Sequence, residues 1–138
     1  MIKAALMTAV AVMMIGSIPV FAQTSAPALT VIEYDQCIDK PHATNADWQK
    51  CGMEFVRREE DGLNATWKRV YGNTSGQTKI DLLTEERAWI AFKDKSCRFY
   101  ASDDWGREGS VLHFYTCRGG VIADRQHALE AYGSFFRQ

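Results

Sequence analysis

Residues 77–99 read QTKIDLLTEERAWIAFKDKSCRF. Ile80, Leu83, Arg87, Ile90, Asp94 and Cys97 recur at the spacing of one helix face, because side chains three and four apart lie above one another on a helix. Leu82, Trp89 and Phe92 flank that stripe, and Thr84-Glu85-Glu86 is expected to face solvent. No period-2 alternation interrupts the pattern. The stretch reads as a helix, and it sets the class for what surrounds it.

Upstream, residues 46–71 form a second amphipathic stretch. Trp48, Cys51, Phe55, Leu63, Trp67 and Val70 recur near a 3.6 period, with Asn45 as the expected N-cap. The stripe has a gap at Glu59-Glu60-Asp61-Gly62, a run expected to be a solvated acidic face. Gly72 and Gly76 bracket the turn into the next helix. Downstream, residues 100–109 (YASDDWGREG) read as a loop, and Ser110 opens a third helix reaching residue 132. Its stripe is Val111, Phe114, Tyr115, Val121, Ile122, Arg125, Ala128, Leu129 and Tyr132. Gly119-Gly120 in mid-helix costs about 1 kcal/mol per glycine relative to alanine, so a kink or a close helix–helix contact is expected there. All three prolines lie at or before Pro41, which suits a helical domain. The expectation is an all-α fold, a small bundle of about three helices spanning 37–138, preceded by a flexible lead at 23–36.

Polar residues that interrupt the stripes carry the next inference. Arg87 and Asp94 fall on the stripe of the middle helix, Arg125 on that of the last, and Asp61 and Asn64 beside Leu63. Charged groups are rarely buried unless paired, so these five are expected to form a structural polar network between helices.

The four cysteines, Cys37, Cys51, Cys97 and Cys117, contain no CxxC and no metal-type cluster. In an exported chain they are expected to form two disulfides. Three connectivities are possible, and the sequential one, Cys37–Cys51 and Cys97–Cys117, is favoured. The second bridge would tie the end of the middle helix to the start of the last. Closing a loop of that size contributes about 3 kcal/mol in the chain-entropy model.

Export is read from residues 1–22. Lys3 is followed by an apolar run, then Gly16, Ser17 and Pro19, then Val20-Phe21-Ala22 with small residues at the −3 and −1 positions. That is the pattern of a secretory signal peptide. The run is shorter than the ~20 residues a span needs, so no membrane span is expected after cleavage, and the product is periplasmic or secreted. Cleavage removes Lys3 and takes the net charge from −1 to one unit more negative. With 16 Lys+Arg against 17 Asp+Glu, a nucleic-acid binder is disfavoured.

Catalytic chemistry finds little support. No GxSxG motif occurs, and adjacent carboxylates on a helix point in different directions. His113 and His127 lie fourteen residues apart, about 21 Å on a helix, too far to share a metal. No cofactor is expected and the chain is read as a non-enzyme.

The residues quoted above resemble a family. Cys51, then Asp61-x-Leu63-Asn64 and an aromatic, then Arg87-Ala88-Trp89-Ile90-x-Phe92-Lys93-Asp94-x-x-Cys97, then Gly109-Ser110, Cys117 and Arg125, look like the LprI-type lysozyme inhibitor domain of secreted bacterial proteins. The family usually has Arg where Lys93 stands and Tyr where Trp67 stands. The resemblance implies a helical, disulfide-linked, non-enzymatic domain that binds lysozyme. An inhibitor of a cationic muramidase wants acidic groups on an exposed loop. Asp103, Asp104, Trp105 and Arg107 make 100–109 the candidate partner-binding loop. The other reading is a cell-envelope stress or scaffold protein with another partner. Neither reading sets an oligomeric state.

N-terminal sequencing of the exported protein is expected to begin at Gln23; a product that begins at Met1 contradicts the signal-peptide reading.

Overall fold

The computed structural model describes residues 29–136, and the expected signal peptide and the first part of the lead lie outside them. The described residues are mostly helical, without a strand. Helix α1 is Leu29–Ile38, α2 Asn45–Gly72 and α3 Gly76–Lys95. Two 3₁₀ turns, Arg98–Ala101 and Asp103–Trp105, lead to a single helical turn, α4 (Gly106–Glu108). A π-turn over Gly109–His113 then runs into α5 (Phe114–Phe135). Four helices of ten residues or more replace the three expected, because much of the expected lead is α1.

The extra helix is part of the core. Tyr34 on α1 is buried and stacks on Phe55 of α2, with ring centroids 4.5 Å apart. Its hydroxyl lies 3.0 Å from Thr116 Oγ1 on α5. Burial raises the phenol's pKa above its ordinary value, an effect partly opposed by the Thr116 hydrogen bond. Ten residues with one buried aromatic do not hold a helix alone. The Cys37–Cys51 disulfide, Cα–Cα 5.8 Å, fastens the end of α1 to α2. Trp48 Nε1 also donates to the Ile38 carbonyl at 3.0 Å.

The cap of α2 is Thr44, one residue before the expected Asn45. Thr44 Oγ1 accepts from the Asp47 amide, and Asp47 Oδ2 accepts from the Thr44 amide at 2.9 Å, a reciprocal capping box. The Thr44 hydroxyl also donates to Asp47, and these bonds hold the carboxyl below the usual carboxylate range. The cap therefore contributes at neutral pH and is lost as pH falls through that lowered value. The far end of α2 is closed by Asn73, and Gly76 at φ +56° turns the chain into α3. α3 stops at Lys95, short of the expected residue 99. Cys97 takes a left-handed conformation (φ +66°) and starts the 3₁₀ turn. A second disulfide, Cys97–Cys117, Cα–Cα 5.8 Å, ties that point to α5, so both favoured pairings are present.

α2 and α5 make the most extensive contact in the molecule. Their meeting residues define direction and register. Tyr115 fills the space over Gly52, Phe55 that over Gly119, Gln126 that over Gly62 and Val70 that over Gly133. Each α5 residue follows its α2 neighbour by nearly the same interval, so the two helices run parallel. On α2 Glu60 meets Lys93 while the later Tyr71 meets the earlier Lys79, and on α5 Arg125 meets Trp89 while the later Tyr132 meets the earlier Glu85, so α3 is antiparallel to both. The main core is Leu63 and Val70 of α2, Leu82 of α3, and Ile122 and Leu129 of α5, all buried. The expected close contact in the last helix is at Gly119, whereas Gly120 faces open space.

These two neighbours make a paired test. A Cβ at Gly119 would overlap the buried Phe55 ring, so Gly119→Ala is expected to cost about 1–3 kcal/mol. Gly120→Ala meets nothing and is expected to stabilise by about 0.5–1 kcal/mol through helix propensity. Urea unfolding of both variants measures the contrast.

Candidate functional site

The expected polar network is only partly where the sequence placed it. Arg125 is buried, but Arg87, Asp94, Asp61 and Asn64 are exposed. Asp61 pairs with Arg57 at 2.8 Å on the surface, one turn along the same helix. The partners of Arg125 are instead Glu85 and Glu86, which the sequence assigned to solvent. Arg125 Nε and Nη2 donate to Glu86 Oε2 at 2.9 and 2.7 Å, and Nη1 donates to Glu85. The Tyr132 hydroxyl donates to the same Glu85 oxygen at 3.3 Å. Burial pulls the guanidinium pKa down, but the hydrogen bonds and charges of Glu85 and Glu86 outweigh that and hold it above its ordinary value. The ring of Trp89 lies 5.8 Å from the guanidinium carbon and closes one side of the site.

The error has a geometric origin. Leu82, Glu86 and Trp89 form the inward stripe of α3, one residue out of phase with Leu83, Arg87 and Ile90. One residue is a rotation of about 100°. Glu59 was also missed; it is buried four residues after Phe55 and four before Leu63, within the apparent gap of the α2 stripe. A carboxylate in register with apolar neighbours on both sides was the available signal. Chemically, the Arg125 cluster pairs its one cation with two carboxylates, the buried Glu86 and the exposed Glu85, and presents no nucleophile. Among the described residues, no group of three His, Cys, Asp or Glu is placed to hold a metal ion.

A second cluster occupies the segment between α3 and α5. Phe99, Tyr100, Trp105 and His113 form a chain of rings, with centroids 4.2 Å apart for Phe99–Tyr100, 4.8 Å for Tyr100–Trp105 and 6.0 Å for Trp105–His113. Phe99 is 56% and Trp105 47% exposed. Gly109 is buried beneath them, and a Cβ there would overlap the Tyr100 carbonyl and Trp105 Cβ. The expected loop is therefore a run of short turns clamped by packing at Gly109 and by the disulfide at Cys97. Asp103, Asp104 and Arg107 are exposed, and among the described residues their charged groups have no partner. The segment thus combines free carboxylates with a half-exposed tryptophan on a braced backbone.

The buried cluster and the exposed network positions separate by mutation. Arg125→Ala leaves Glu86 buried without its cation and is expected to cost about 3–5 kcal/mol. Asp94→Ala removes an exposed carboxylate and is expected to stay within about 0.5 kcal/mol of wild type. Chemical denaturation at neutral pH measures both.

Compared with known proteins, the family described as lysozyme inhibitor LprI matches residues 37–129. No curated protein and no solved structure gives a significant match to the chain. The matched span holds both disulfides, all of α2 and α3, the clamped turns and most of α5, including Arg125. A match over so much of the chain means that this protein belongs to the LprI lysozyme inhibitor family.

Proposed function

We propose that the chain is an extracytoplasmic binding protein that inhibits lysozyme by occluding the muramidase, with Asp103, Asp104, Trp105 and Arg107 as contact residues. Family membership over residues 37–129 is the observation that carries this reading. The two disulfides suit an oxidising compartment. No helix of the described residues is long and apolar enough to cross a membrane.

The choice of contact surface rests on physical grounds. Lysozyme is cationic, and two unpaired carboxylates on an exposed turn steer a cationic partner inward. Trp105 supplies a large anchor with few rotamers to freeze. Because Gly109 and the Cys97–Cys117 bridge already order the backbone, little entropy is lost when the segment docks. The Arg125 cluster supports this surface indirectly by fixing α3 on α5, the two helices between which the segment is strung.

Cell-wall turbidity assays with the purified, disulfide-bonded chain and several lysozyme classes test the reading. Inhibition of at least one class, lost on reduction, is the expected result; inhibition of none overturns it. Asp103→Asn with Asp104→Asn is expected to weaken inhibition by about tenfold and to flatten its salt dependence. Trp105→Ala is expected to weaken it too, with melting shifted by no more than about 5 °C. Full inhibition by both variants would move the contact surface elsewhere.

A further inference from the structure

Most of the stripe on α3 that reads as core in the sequence is turned away from the bundle; its end, Cys97, is buried in the disulfide to Cys117, and Ile90 borders Leu63 and Asn64 of α2 along one edge. Ile80 is 59% and Ile90 43% exposed, Leu83 is half-buried, and Arg87 and Asp94 are exposed. Among the described residues neither the Arg87 guanidinium nor the Asp94 carboxylate has a partner. α3 packs on the bundle through Leu82, Glu86 and Trp89, on a different face. The five outward positions advance by steps of three, four, three and four, which is the spacing of a helix–helix seam.

We infer that this face is a self-association surface, on which two copies of the chain pair through antiparallel α3 helices. The charges are self-complementary. Along the helix, Arg87 stands about 4.5 Å before Ile90 and Asp94 about 6 Å after it. A two-fold axis at Ile90 therefore sets each Ile90 against its counterpart and each Arg87 opposite Asp94 of the partner subunit. A parallel pairing in register would set like charge on like charge. A cationic protein would find one charge of each sign here, no net attraction, and isoleucines to cover. Ala91, exposed beside Ile90, lets the backbones approach. One helix pair buries less surface than a standard stable interface, so the dimer is weak and reversible. This surface is distinct from the Asp103–Arg107 segment, and its test contains no lysozyme, so either inference can fail without the other.

Sedimentation equilibrium of the full disulfide-bonded chain over a concentration series, at low and high salt, is the experiment. A monomer–dimer equilibrium weakened by salt is expected. Arg87→Asp and Asp94→Arg each replace both ion pairs with like-charge contacts, and each is expected to weaken dimerisation by about tenfold or more. The double variant restores opposite charges and is expected to recover wild-type association. Both positions are exposed, so circular dichroism melting should be unchanged in all three. A chain that is monomeric at every concentration overturns the inference. So does a dimer indifferent to the single reversals, or a double variant as weak as the singles.

Discussion

Everything in this molecule is arranged around two parallel helices that lie close together. α2 and α5 approach through notches rather than through matched large residues: Gly52 admits Tyr115, and Gly119 admits Phe55. Because each notch accepts one particular ring, the interface has a single register. A slip by one residue would drive a ring into a backbone. Parallel neighbours cannot be joined by a short turn, so α3 must run back between their ends, and the segment after it must return the chain to the start of α5. The long α3 and the clamped turns at 98–113 follow from that one constraint.

The rotation of the return helix is set chiefly by charge. α3 contributes only Leu82 to the fully buried apolar core, with Trp89 packed beside it. Its remaining inward position is Glu86, paired with Arg125. A buried ion pair of this kind contributes little net stability, since desolvation offsets most of its attraction. Its effect is geometric: the planar guanidinium donates two hydrogen bonds to Glu86 and a third to Glu85, which sets the rotation of α3 about its own axis. That rotation turns Ile80, Arg87, Ile90 and Asp94 outward. The same ion pair that orients the helix thus exposes the stripe inferred to self-associate.

The two disulfides act at the ends of this arrangement. Cys37–Cys51 holds a short helix anchored by the buried Tyr34, and Cys97–Cys117 pins the left-handed residue where α3 gives way to turns. Neither crosses the centre of the bundle. They order the peripheral segments where apolar burial is thinnest, and one of those segments carries the unpaired acids and Trp105. A small domain gains most from cross-links at such places, because its core alone leaves them free to fray.

The all-α class and the two cysteine pairings were legible in the sequence, because helical periodicity and cysteine spacing are local properties. The stripes of α2 and α5 and the close approach in mid-α5 were legible for the same reason. So was the family, carried by the Arg-Ala-Trp-Ile block and its cysteine. The facing of α3 was not. Two stripes, one through Leu82 and Trp89 and one through Ile80, Leu83 and Ile90, are both apolar, and periodicity cannot rank them. Only the position of Arg125 on a neighbouring helix selects the first, by drawing Glu86 inward. α1 was missed because a ten-residue helix is too short to show a period; it is held through Tyr34 against Phe55 and Thr116 and by a disulfide. Local order was therefore set by the chain's own pattern, while the choice between equivalent faces was left to long-range charge and packing, which no window of sequence contains.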